Sequence, residues 1–246
     1  MAHQTVFKRY ELKYMITEEQ KSRILSAMEP HMRLDKYGRT TIRNIYFDTS
    51  DYRIIRRSIE KPIFKEKLRI RSYNRAQDGD DVFVELKRKY DGVVYKRRCA
   101  LPLSDAIDWI SGAGPRPRDT QIAREIDYFI GFYGPLSPSV LLSYEREAFY
   151  EIGGGDFRVT FDDRILARRE DISLSSDSYG NELLSPGLVL MELKCSGGIP
   201  LWMVDLLSGE RIYKTSFSKY GTAYRDIISE RTLSNNLINK ELISNG

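Results

Sequence analysis

Cysteine and histidine are scarce in this chain of 246 residues, which has 2 of each. Cys99 and Cys195 are too few for a disulfide framework, and nothing before Phe7 reads as a signal peptide, so the expected location is the cytoplasm. His3 and His31 have no cysteine nearby, which excludes a zinc site of the usual His/Cys kind. Any metal must then be held by carboxylates, which suits Mn²⁺ or Mg²⁺. Long apolar runs are missing too. Ile199 to Leu207 (IPLWMVDLL) contains Asp205 and falls far short of the roughly 20 residues of a spanning helix. No Pro/Ser-rich linker, internal repeat or low-complexity tract divides the chain, so the expectation is one domain over residues 1–230 with a polar tail at 231–246. The net charge of +4 is modest and argues against a general nucleic-acid coat. Gly153 to Gly155 are followed by no helix N-terminus and do not make a P-loop.

What the chain does have is charge repeated at strand spacing. In KLRIRSY, Arg69 and Arg71 project to one face, as do Glu85 with Lys87 in VELKRK and Lys96 with Arg98 in YKRR. Leu68, Ile70, Val84, Leu86, Val93 and Tyr95 take the opposite face. The Tyr90-Asp91-Gly92 turn tolerates positive φ and pairs the second and third of these strands as a hairpin. The pattern returns far away. Arg9, Glu11 and Lys13 align in KRYELKY, Arg146 shares a face with Tyr144, Arg158 aligns with Thr160 and Asp162 in FRVTFD, and Glu192 aligns with Lys194 in LVLMELK. A single strand of this kind is most simply one side of a solvated sheet. Over seven strands, a face this rich in cations points to a polyanionic partner.

Between the strands, Thr17-Glu18-Glu19-Gln20 is a capping box opening a helix that ends before Pro30. A short helix is expected after Asp48, a residue better suited to capping than to binding a ligand. Ser104 is expected to cap a further helix, Gln121 to Phe132 has helical spacing, and Gly197-Gly198-Ile199-Pro200 leads into an apolar helix.

If the strands close into an eight-stranded antiparallel β-barrel, Arg and Lys inside it cannot form a dry core. The lumen must hold water and anions, with the helices packed outside, giving an α+β fold. Arg binds phosphate oxygens bidentately, and Glu192 is the residue placed to hold a divalent ion bridging them.

The ordered set RYELKY, YFDT, KLRIRSY, VELKRK, YKRR, YEREAF, FRVTFD, LMELK and FSKY resembles the VTC domain, the polyphosphate-polymerase branch of the triphosphate tunnel metalloenzymes, over roughly residues 7–225. The resemblance implies phosphate-binding roles for Lys13, Arg69, Arg71, Lys87, Arg98, Arg146, Arg158, Lys194, Ser218 and Lys219. It also implies Glu192 as the carboxylate for Mn²⁺ or Mg²⁺, with Lys13, Arg69, Arg71, Lys87 and Glu192 as the catalytic set. The wider superfamily opens with two glutamates and a lysine at alternate positions. Arg9 stands at the first of these here, which puts more weight on Glu192. Glu85 is expected either as a second metal contact or, preferably, as a partner of Lys87.

The readings in play are a polymerase moving the γ-phosphoryl group of ATP onto a polyphosphate chain through a tunnel open at both ends, an inorganic or nucleoside triphosphatase, and a non-catalytic polyphosphate sensor. RNA binding ranks last, since the basic faces lack aromatic stacking platforms. Export of product would need a membrane-protein partner. Arg69→Ala and Lys87→Ala are expected to lose substrate while leaving the fold nearly as stable.

Overall fold

The computed structural model describes residues 10–229; Arg9 and the expected tail at 231–246 lie outside the described residues. Strand β1 (Tyr10–Thr17) runs into helix α1 (Glu18–Met28). The capping box forms as read: Thr17 Oγ1 accepts from the Gln20 N–H and Gln20 Oε1 accepts from the Thr17 N–H, both at 3.1 Å. After the short β2 (Met32–Leu34), β3 (Thr40–Asp48) leads to α2 (Arg53–Ile59). Asp48 is indeed a cap: it accepts the N–H groups of Thr49 and Ile54 at 2.9 Å and of Ile55 at 3.0 Å.

The meander β4 (Phe64–Tyr73), β5 (Asp81–Tyr90) and β6 (Val93–Pro102) follows. Its second turn places Asp91 and Gly92 at φ 44° and 82°, which an Asp-Gly pair tolerates. Helix α3 (Leu103–Ser111) takes Pro102 as its N-cap, two residues ahead of the expected Ser104 cap. Then come α4 (Gln121–Tyr133), β7 (Ser137–Glu151), β8 (Arg158–Arg168), β9 (Asn181–Glu182), β10 (Leu188–Cys195), α5 (Leu201–Gly209), β11 (Lys214–Thr215), α6 (Lys219–Ala223) and a π-helical turn, Tyr224–Ser229.

All strands join one antiparallel sheet in the order β11-β1-β10-β8-β7-β3-β4-β5-β6, with β2 on β7 and β9 on β8. Its ends, β11 and β6, do not pair, so the eight-stranded closed barrel is not formed: the sheet is curled but open. The curl is nonetheless deep. Lys87 on β5 reaches Glu11 on β1 at 3.0 Å, although five strands separate them in the order.

Alternation puts the apolar residues of β4 and β5 on the convex face. There Leu68, Ile70, Val84 and Leu86 pack against Trp109 and Ile110 of α3 and Ile126 and Phe129 of α4. Val189, Met191 and Leu193 do the same against Ile24 of α1 and Met203 of α5. Fully burying one such side chain contributes about 1.5–3 kcal/mol, so both halves of the sheet are anchored from outside.

A third cluster lies on the concave side. Ile42, Leu142, Tyr144 and Leu190 pack there with Ile55 of α2 and Tyr220 and Ala223 of α6. Leu190 precedes Glu192 by two residues, and Tyr144 precedes Arg146 by two, so the concave face passes from an apolar end under α2 and α6 to a polar end. A passage open at both ends is therefore not what these side chains form.

Candidate functional site

The polar end of the concave face holds two carboxylate clusters. The first is centred on Glu192, which β10 sets opposite Lys13 of β1 and Thr160 of β8. Lys194 approaches its carboxylate at 3.0 Å, Lys13 and Lys219 at 3.4 Å and Arg146 at 3.5 Å. Asp162 lies beside it, with Arg146 at 2.5 Å and Lys219 at 2.5 Å. Burial opposes the charge of Glu192, but Lys194, Lys219, Lys13 and Arg146 outweigh it and hold the carboxyl well below its usual range. Glu11 behaves alike: burial is outweighed chiefly by Lys87.

The second cluster is centred on Glu85, which is fully buried. Arg69 bonds it at 2.7 Å, Lys96 at 2.6 Å, and Arg98 Nε at 2.7 Å, with Arg71 at 3.9 Å. Burial again opposes ionisation, and Arg69, Arg71 and Lys96 overcome it. Glu85 thus forms ion pairs, but not with Lys87, whose partner is Glu11. The expectation that Arg69→Ala spares stability also needs correction, because Arg69 neutralises a buried carboxylate and donates to Tyr46 Oη at 2.8 Å.

Tyrosines join the clusters. Arg71 donates to Tyr144 Oη at 3.1 Å, while Lys219 and Arg146 lie 4.5 and 5.2 Å from the Tyr144 ring centroid. Burial raises this phenol and the three cations lower it further, to about 8.

Of the predicted residues, the structure gathers Lys13, Arg146, Lys194, Lys219 and Glu192 at one carboxylate and Arg69, Arg71 and Arg98 at the other. Lys87 lies between them, held by Glu11. Ser218 caps α6, accepting from the Gly221 N–H at 3.1 Å, and keeps its own hydroxyl proton. Arg158 is on the same face, paired in register with Lys194, but it is exposed and joins neither cluster.

Sequence reading missed Lys67, Lys96, Thr160 and Asp162 as site residues. Period-two spacing from Arg69, Arg98 and Arg158 was the available signal for all four. Lys67 donates to Ser218 Oγ at 2.9 Å. Thr160 Oγ1 is buried with no hydrogen-bond partner among the described residues.

Among the described residues, no group of three or more His, Cys, Asp or Glu side chains converges as a metal cage. The donors present are oxygens held ionised, and Lys13 sits 3.4 Å from both Glu11 and Glu192. Such a set fits a hard divalent ion only as a ligand shared with phosphate oxygens, the usual manner for Mg²⁺.

The fold, the motif order and this basic face define a class, and comparison with known proteins agrees. The VTC domain family model matches residues 8–228, and the chain belongs to that family. A Bacillus halodurans protein proposed to be an adenylate cyclase shares the fold with 16% identity and a TM-score of 0.54, over 90% of this chain and 100% of its own. The Hippeastrum protein HpAC1, described as having a dominant triphosphatase activity, shares it with 16% identity and a TM-score of 0.51, over 88% of this chain and 95% of its own. A search of curated proteins finds no significant match.

Proposed function

We propose that the chain is a phosphotransferase that binds the triphosphate of ATP on its concave basic face and passes the γ-phosphoryl group to a phosphate chain. The observation that carries this reading is Glu192: a buried carboxylate with four cations around it, none closer than 3.0 Å. Such a carboxylate is ionised yet loosely held. When a polyanion enters, Lys13, Lys194, Lys219 and Arg146 turn to its oxygens, and Glu192 and Glu11 would be the residues to hold a divalent ion. That ion, Mn²⁺ or Mg²⁺, supplies Lewis-acid stabilisation of the phosphoryl oxygens.

The chain's own residues do the positioning. Arg69, Arg71, Lys87 and Arg98 hold phosphates along β4 to β6, while Arg146, Lys194 and Lys219 neutralise charge at the transferred group, with Arg158 at the rim. An oxygen of the acceptor phosphate attacks the γ-phosphorus, the bond to the bridging oxygen breaks, and ADP leaves; an ionised acceptor needs no proton removed. The apolar end under α2 and α6 means that a lengthening product leaves by the polar end. No helix of the described residues is long and apolar enough to cross a membrane.

Hydrolysis is the second reading, favoured by the triphosphatase activity described for the Hippeastrum protein of the same fold. A polyphosphate sensor is the third. Incubation with ATP and Mn²⁺, with and without pyrophosphate, separates them on a gel. Long chains lost in Glu192→Gln establish the polymerase. Orthophosphate alone establishes the triphosphatase, and binding without either product establishes the sensor.

A further inference from the structure

Most cations of the concave face have a carboxylate within reach, but Lys67 has none among the described residues. It lies on β4 opposite Lys87 in register, and its ammonium donates to Ser218 Oγ at 2.9 Å. The groups facing it are positive or neutral. Lys65 and Arg69 come from its own strand, Lys87 from β5 and Lys13 from β1, and α6 contributes the Tyr220 ring, 5.8 Å away. Nearby carboxylates are already engaged: Glu11 by Lys13 and Lys87, and Asp48 by the Tyr220 hydroxyl at 2.8 Å. A half-buried ammonium crowded by cations and without a counter-charge holds its proton weakly, and a polyanion arriving beside it restores the charge.

Resting on the phosphate-binding reading of this face, we propose that Lys67 is a proton-linked contact for linear polyphosphate: neutral in the free chain, and charged once a phosphate oxygen reaches it. Burial, with Lys87, Lys13, Lys65 and Arg69, brings its ammonium down to about 7, so the exchange falls within the working pH range. The sign follows from linkage. The complex holds a proton that the free chain lacks, so affinity falls as pH rises above 7, approaching about tenfold per pH unit from this group. Lys96, also lowered to about 7 by burial, differs in already having Glu85 at 2.6 Å.

The test is calorimetry of metal-free inorganic tripolyphosphate binding at pH 8, in two buffers of different ionisation enthalpy, for wild type, Lys67→Arg and Lys67→Met. Wild type is expected to take up about one proton more than either variant, and Lys67→Arg to lose most of the pH dependence of affinity. Equal uptake in all three overturns the role of Lys67 and leaves the binding reading intact, whereas no binding by wild type overturns both. Should neither variant fold, trace acetylation of wild-type lysines against pH decides. Half-maximal reactivity of Lys67 near pH 7, raised by tripolyphosphate, supports the proposal, and a midpoint near the ordinary lysine value of about 10.4 overturns it.

Discussion

Glu85 and Glu192 are both buried carboxylates with four cations around them, yet they are held differently. Glu85 receives bonds of 2.6 to 2.7 Å from Lys96, Arg69 and Arg98 Nε, from β4 and β6, the two strands flanking its own. Glu192 has contacts of 3.0 to 3.5 Å, from β1, β7, α6 and its own strand. Short charge-assisted bonds use up the lone pairs of a carboxylate, and longer contacts leave them available. The same residue types therefore fix one carboxylate as a structural anchor among phosphate-facing arginines and leave the other as a candidate metal ligand.

The largest effect expected from this contrast is on stability. Glu85→Gln leaves Arg69, Lys96 and Arg98 facing one another around an uncharged amide and should cost about 3–5 kcal/mol, read as a lowered urea midpoint. Arg69→Ala should lower it too, by baring the buried carboxylate. Next, Glu192→Gln should cut turnover of ATP with Mn²⁺ by about 10²- to 10³-fold, while its urea midpoint moves less than half as far as that of Glu85→Gln. Comparable midpoint shifts for the two variants would erase the distinction.

Smaller effects sharpen it. Lys67 and Lys96 are both lowered below the ordinary lysine value, so from pH 7 to about 10 the unfolded chain binds more protons than the folded one. Stability of the free protein should rise with pH over that window, and Lys67→Met should reduce the slope in denaturation curves. On the acid side the slope has the same sign, but the groups stabilise the folded chain instead of weakening it. Glu85 and Asp162 are held below their usual range, so the stability they contribute is present above about pH 4.5 and lost as pH falls toward their folded values. The smallest change is Thr160→Val. It removes a buried hydroxyl without a partner and should leave the free protein equally stable or up to about 1 kcal/mol more so, with weaker tripolyphosphate binding.

Much of this was legible in the sequence because it depends on near neighbours. The Thr17 capping box, the Asp91-Gly92 turn and the two faces of β4 and β5 follow from spacing alone. So did the ordered motifs that placed the chain in its family. What sequence could not supply was the curl of the sheet. Lys87 finds Glu11 rather than Glu85 because β5 bends over to β1, a relation between residues 76 positions apart. The apolar plug beneath α6 is likewise a tertiary fact, since Tyr220 reaches Asp48 and Ser139 from far along the chain. Lys67 is a different case. Its place beside Arg69 was readable from the strand period, but its lack of a carboxylate was not.

The most direct test of the contrast is metal-free tripolyphosphate affinity in wild type and Glu192→Gln, by calorimetry with a chelator present. If Glu192 is a loosely held ligand carboxylate among phosphate-binding cations, removing its charge removes a repulsion, and the variant binds more tightly than wild type while failing to turn over ATP with Mn²⁺. Equal or weaker binding by the variant would contradict the account.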